Sequence, residues 1–134
     1  MPEVDDGMCF ACGEENPISL KLKFRAITKT EVEAEFIPGE FHQGYDGIMH
    51  GGLVATLLDE AMAYAVGYRD IKAFTAELNV RFKKALEIGK KVLIKGKYDD
   101  CTKRSIGTVH YTSAEIYDEN GELKARANAK FMEA

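Results

Sequence analysis

What this chain lacks narrows its function before any motif is read. It has no apolar run long enough to cross a bilayer. The longest, residues 51–68, is interrupted by Asp59 and Glu60 and falls short of the roughly 20 apolar residues a spanning helix needs. The first residues, Met1-Pro2-Glu3-Val4-Asp5-Asp6, are acidic and lack the apolar centre of a signal peptide, so no secretory leader is expected. Basic charge is in deficit, with 18 Lys and Arg against 22 Asp and Glu and a net charge of −4. Nucleic-acid binding requires a concentrated basic surface, and this balance argues against it. A local basic rim for one small anionic ligand remains compatible with it. Cysteine is sparse, at three residues. An odd number without a secretory signal points to reduced thiols and a cytoplasmic protein. Internal repeats, low-complexity tracts and linkers are absent.

What is there is an ordinary globular balance. The 134 residues, 46% apolar and 30% charged, suit one domain with a real core. Residues 1–18 are turn-rich (Gly7, Gly13, Asn16-Pro17) and read as an irregular arm before a single domain over residues 19–134. Leu20, Leu22 and Phe24 alternate with Lys21, Lys23 and Arg25, which predicts a half-buried strand. Val32, Ala34 and Phe36 alternate with Glu31, Glu33 and Glu35 in a second. From Gly51 the period changes. Leu53, Val54, Leu57, Leu58, Ala61, Met62 and Ala65 recur at helical spacing up to about Gly67. The two-residue period then returns, with Phe74, Ala76, Leu78, Val80 and Phe82 expected on one face and Thr75, Glu77, Asn79 and Arg81 on the other. Further strands are predicted around Val92 to Gly96, over residues 105–117, and from Leu123 to Phe131 after an Asp118-Glu119-Asn120-Gly121 hairpin turn. This order predicts an α+β fold, an antiparallel sheet curved around one helix, with part of the other sheet face available to a second subunit.

The helix start carries the chemistry. Gly51 and Gly52 open the helix without a Cβ to hinder approach, and first-turn N–H groups point outward with the positive end of the dipole. Such a site suits a phosphate, a carboxylate or a developing oxyanion. Asp59 lies on a helix face shared with Ala55, Ala63, Met62 and Val66. A carboxylate among small and apolar side chains is costly to desolvate, and burial raises its pKa toward the range of a general base. The alternative is an ion pair with a strand Arg or Lys. Glu60 points about 100° away, beside Thr56 and Tyr64, as a structural or interface acid. His50 precedes the helix, placed either to cap it and orient the loop or to contact a carbonyl.

His50-Gly51-Gly52, followed by Leu57-Leu58-Asp59-Glu60-Ala61, resembles the H-G-G-x(4)-L-x-D-x-A signature of hotdog-fold thioesterases, in particular the PaaI-like branch (phenylacetic acid degradation type). Cys9-Phe10-Ala11-Cys12-Gly13, Asn16-Pro17, His42-Gln43-Gly44 and Thr75-Ala76-Glu77-Leu78-Asn79-Val80-Arg81-Phe82 extend the resemblance, as does Asp118-Glu119-Asn120-Gly121 with Ala125-Arg126-Ala127. It covers nearly the whole chain. It implies hydrolysis of an acyl-CoA thioester, with Asp59 as general base on water or as nucleophile. The Gly52 N–H, aided by Gly51, would polarise the carbonyl, Thr75 would assist the water, and His50 would support the site. One site would draw on two protomers of a homodimer or a dimer-of-dimers tetramer. Where many members carry an Asn, this chain has Gly44, so His42 or Gln43 would have to fill that role. Arg81, Lys83, Lys84, Lys103 and Arg104 are the candidate contacts to the phosphates of coenzyme A, which enters as part of the substrate; no separate cofactor is implied. Tyr45, Met49, Met62, Tyr64, Val66 and Phe74 are the candidate acyl-pocket residues.

Cys9-x-x-Cys12 is half of a zinc-ligand set, and no second pair or His pair follows at finger spacing, so a structural turn with reduced thiols and no metal is expected. Two other readings fit the same fold: a non-catalytic acyl-CoA or lipid-binding module, and an acyl-thioester dehydratase. The latter usually pairs a catalytic His with an acid on the helix, and this helix contains no His.

Overall fold

The alternating segments form six strands in a computed structural model of the chain, which describes residues 7–134. The first part of the expected arm, residues 1–6, lies outside the described residues. The elements are β1 (Arg25–Ala26), β2 (Glu31–Phe36), a short 3-10 turn (Glu40–His42), α1 (Gly51–Gly67), β3 (Ala73–Phe82), β4 (Val92–Arg104), β5 (Gly107–Asp118) and β6 (Leu123–Glu133). All strand pairs are antiparallel, in the order β1-β2-β4-β5-β6-β3. The helix is the crossover that carries the chain from β2 to the opposite edge, so among the described residues β3 pairs with β6 alone and has one free side. This is the hotdog fold. No helix among the described residues is long and apolar enough to cross a membrane.

One sheet face is the core. Val32 and Ala34 of β2, Ile94 and Tyr98 of β4, Ala114 and Ile116 of β5, and Ala125, Ala127, Ala129 and Phe131 of β6 are buried there. From the helix, Val54, Leu57, Leu58, Ala61, Met62 and Val66 pack down onto them. Fully burying a Leu or Met side chain contributes about 1.5–3 kcal/mol relative to leaving it exposed, which is what holds the single helix to the sheet. The approach is closest at Gly96, where a Cβ would fall 2.4 Å from the carbonyl oxygen of Ala61. A glycine in the middle of a strand often marks such a close approach of two backbones.

Three segments depart from the sequence expectation. The strand predicted over residues 20–25 keeps its alternation, with Leu20, Leu22 and Phe24 buried, but only Arg25–Ala26 pairs with β2. Lys21 takes a left-handed φ of 57°, and the Leu20 and Leu22 N–H groups donate to Phe10 and Ala11 in the arm instead of to a neighbouring strand. Strand β4 runs on through Cys101 to Arg104, further than its apolar residues marked. Its far end is exposed on both faces, so periodicity could not show it. In β3 the register shifts between Thr75 and Glu77. This bulge turns Thr75 to the helix side, opposite buried Phe131, while Leu78, Val80 and Phe82 keep that side beyond it opposite Ala129, Ala127 and Ala125. Plain alternation placed Thr75 on the outer face and Phe74 inside; Phe74 is 63% exposed.

Candidate active site

The loop before the helix is held by short-range bonds of its own and by one to Leu86. Gly44 N–H donates to Ile48 O, His50 N–H to His42 O and Met49 N–H to Leu86 O, and Gln43 and Met49 form an isolated bridge. Gly47 takes a positive φ of 80°, which glycine allows without strain. His42 accepts the Gly39 N–H at Nδ1 and lies against the Phe36 ring. The Gln43 amide donates to Glu40 O and accepts from Gly47 N–H. Both side chains proposed to replace the missing Asn are therefore engaged in shaping this loop. At Gly44, a Cβ would come within 3.2 Å of His50 Cα, so a larger residue would press directly on His50.

His50 is the N-cap of the helix. Its Nδ1 accepts the Gly52 N–H at 2.9 Å, and its carbonyl accepts from Leu53 and Val54. A ring nitrogen that accepts this bond is unprotonated, so the neutral ring carries its proton on Nε2. Of the two readings held for His50, capping is the one the geometry displays. It also bears on Gly52, whose N–H reaches a ligand only by sharing or releasing His50. Both glycines are exposed, and the Phe82 ring from the end of β3 stands beside Gly51.

Asp59 sits two turns further along, half-buried. Thr75 Oγ1 donates to its Oδ1 at 2.8 Å, a contact created by the β3 bulge. Among the described residues no Lys, Arg or His lies within ion-pair distance of Asp59, so the salt-bridge alternative has no support. Burial pushes the Asp59 carboxyl above its ordinary value, and the Thr75 hydroxyl pulls it part of the way back. The result is a desolvated carboxylate held by one neutral donor, an arrangement suited to accepting a proton.

The other candidates are dispersed. Arg81 points away from the helix into a groove of the outer sheet face that it lines with Glu33, Glu115 and Arg126. Lys83 and Lys84 follow Phe82 near the helix start, with both N–H groups on Lys124 O and the Lys84 ammonium paired with Glu122. Arg104 donates to the Tyr111 hydroxyl at the β4–β5 hairpin, at the far end of the sheet. Met49, Met62 and Val66, read as acyl-pocket residues, are core residues no more than 3% exposed. Tyr64 packs between the tilted rings of Phe24 and Tyr68. Phe74 and Tyr45 remain open at the surface. Phe82 was not singled out from the sequence; its place at the end of the Thr75–Phe82 phrase, next to the basic pair, is the signal that marks it.

Residues 46–125 match the family model of the thioesterase superfamily. The chain is 30% identical over 98 residues to acyl-coenzyme A thioesterase THEM4 of Xenopus laevis, a match covering 72% of this chain and 42% of that protein. The chain thus spans less than half the length of the named relatives it matches. Among solved structures it is similar to the PaaI protein of the E. coli phenylacetic acid degradation operon, with TM-score 0.76, 16% identity, and 84% and 83% of the two chains covered. It is similar also to a hypothetical thioesterase protein of Streptococcus pneumoniae solved with coenzyme A, with TM-score 0.75, 18% identity, and 84% and 88% covered. At such identities these two likenesses speak to the fold.

Proposed function

We propose that this chain, which belongs to the thioesterase superfamily, hydrolyses an acyl-CoA thioester to the free acid and coenzyme A. The observation that carries this reading is Asp59: a half-buried carboxylate with a raised pKa, no cationic partner among the described residues, and a hydroxyl at 2.8 Å. Water attacks the thioester carbonyl while Asp59 takes its proton. The charge that develops on the carbonyl oxygen is met by N–H groups of the helix start, Gly52 with Gly51 beside it. The tetrahedral intermediate then collapses, the carbon–sulfur bond breaks, and the thiolate leaves as coenzyme A. With Asp59 as nucleophile the same groups act on a covalent anhydride that water then opens. Coenzyme A comes and goes with the substrate, and no step is routed through a metal or another cofactor.

Distance sets the assembly. Gly52 and Asp59 are separated by seven residues of one helix, or about 10 Å along its axis. Reacting atoms must approach to about 3–3.5 Å, and this separation favours a site whose two groups come from two chains. The free side of β3, ten residues long, offers edge-to-edge pairing with a second copy, and Phe74 and Phe82 on it are more than half exposed. An antiparallel pair of β3 strands brings the Phe82 end of one chain, with its helix start, toward the Thr75 end of the other. Lys83 and Lys84 at the same end, and Arg104 from the opposite one, are the cations proposed to meet the phosphates. Light scattering at micromolar concentration is expected to give a dimer or larger; a monomer would contradict the shared site.

The reaction is tested by thiol release from a panel of aryl-, short- and medium-chain acyl-CoAs. Catalytic turnover of at least one class is expected. Binding of acyl-CoA without release of thiol from any member would replace this reading with that of a binding module.

A further inference from the structure

Away from the site just described, the N-terminal arm folds back onto α1 so that Cys9 and Cys12 reach Glu60. One donor atom from each of the three lies within 4.8 Å of the other two, and Cys9 Sγ stands 3.6 Å from Glu60 Oε2. In a tetrahedral zinc complex, metal–sulfur bonds of about 2.3 Å and metal–oxygen bonds of about 2.0–2.2 Å put neighbouring donors roughly 3.6–3.8 Å apart. The three groups therefore need to draw together by about 1 Å at most.

The turn that presents the thiols is fixed on both sides. Gly13 N–H donates to Cys9 O at 2.8 Å, and a Cβ at Gly13 would fall 2.4 Å from both Cys9 N and Gly7 O. Only glycine closes this turn. Phe10 and Ala11, between the two cysteines, accept from Leu20 and Leu22, and Ala11, Leu20 and Leu22 are buried in the core. Glu60 is fixed by the helix, and all three groups are half-buried. Two thiols and a carboxylate are a donor set that zinc favours.

We propose that Cys9, Cys12 and Glu60 bind a zinc ion that clamps the arm to the middle of the helix, with solvent in the fourth position. Each thiol releases its proton to solvent as it becomes a thiolate ligand, and no oxidant or reductant takes part. The clamp holds the residue next to Asp59 without touching the substrate. Sequence spacing pointed to no metal because it counted only Cys and His along the chain. The third donor is supplied by the fold, from 48 residues after Cys12.

The test uses the untagged full chain, purified with and without chelator and loaded with zinc or cobalt(II), beside Cys9→Ser, Cys12→Ser, Glu60→Gln and Cys101→Ser. Wild type and Cys101→Ser are expected to hold about one zinc per chain and to show thiolate-to-cobalt charge-transfer absorption. Cys9→Ser and Cys12→Ser are expected to lose both. Glu60→Gln, which keeps both thiols and the helix, is expected to bind zinc at least about tenfold more weakly. Should the cysteine variants fail to fold, Glu60→Gln and the cobalt spectrum of wild type decide. A wild-type chain that binds neither metal would overturn the proposal. So would a Cys9–Cys12 disulfide in freshly purified protein, or Glu60→Gln with wild-type affinity. None of these readouts depends on thioesterase activity.

Discussion

Asp59→Asn is expected to lower kcat for acyl-CoA hydrolysis by a factor of about 10² or more while leaving KM nearly unchanged. The amide keeps the shape of the carboxylate and, through its oxygen, the bond from Thr75, but it cannot accept a proton from water. Asp59→Ala is expected to lose at least as much. Stability separates this account from a structural role. Burial holds the Asp59 pKa above its ordinary value, so the fold favours the neutral form. Its contribution grows as pH falls through that raised pKa and is adverse at neutral pH. Replacing the ionised carboxylate by a neutral amide therefore relieves the fold, and Asp59→Asn is expected to melt no lower than wild type. Full turnover in Asp59→Asn would remove Asp59 from the mechanism. A marked drop in Tm would turn it into a packing residue.

The second large effect is expected at a glycine that touches no substrate. At Gly96 an added Cβ meets the Ala61 carbonyl oxygen at 2.4 Å, its carbon at 2.6 Å and its Cβ at 3.0 Å. Two of those atoms are backbone, so relief requires the helix to lift from β4. Overpacking of this kind costs about 1–3 kcal/mol, a large part of a stability that is typically about 5–15 kcal/mol. Gly96→Ala is thus expected to lower Tm by roughly 3–15 °C. The lift is centred two residues from Asp59 and so disturbs its bond to Thr75. Activity is expected to fall even below the melting transition. A Tm within about 1 °C of wild type would show that the helix does not ride so close to the sheet.

Much of this could be read from the sequence because each signal was local. The helix from Gly51, the β2 alternation and the Asn-Gly turn after β5 need only neighbours in the chain. The burial of Asp59 followed from its small and apolar helical neighbours. What escaped were features set by contact between distant segments. The β3 bulge turns Thr75 toward Asp59, and nothing in Phe74-Thr75-Ala76-Glu77 announces it; plain alternation assigned Thr75 to the wrong face. Gly96 looked like the end of a short strand, whereas its meaning lies in Ala61 across the core. Met49, Met62 and Val66 share the apolar character of a pocket lining, and composition does not distinguish a pocket from a core. Glu60 beside two cysteines belongs to the same class. The engagement of Gly52 N–H by His50 depends on one ring orientation that spacing could not supply.

The proposed hydrolysis requires Asp59 in its ionised form, with its pKa set by burial and by the Thr75 hydroxyl. The measurement that tests this most directly is the pH dependence of kcat/KM for one acyl-CoA in wild type, Thr75→Val and Asp59→Asn. In wild type, activity is expected to fall as pH drops through the Asp59 pKa, which burial holds above the ordinary aspartate value. Valine keeps the size of threonine but removes the donor that favours the carboxylate, so the limb is expected to move to higher pH in Thr75→Val. In Asp59→Asn the limb is expected to vanish with the activity. An acid limb at the same pH in wild type and Thr75→Val, or one that persists in Asp59→Asn, would contradict it.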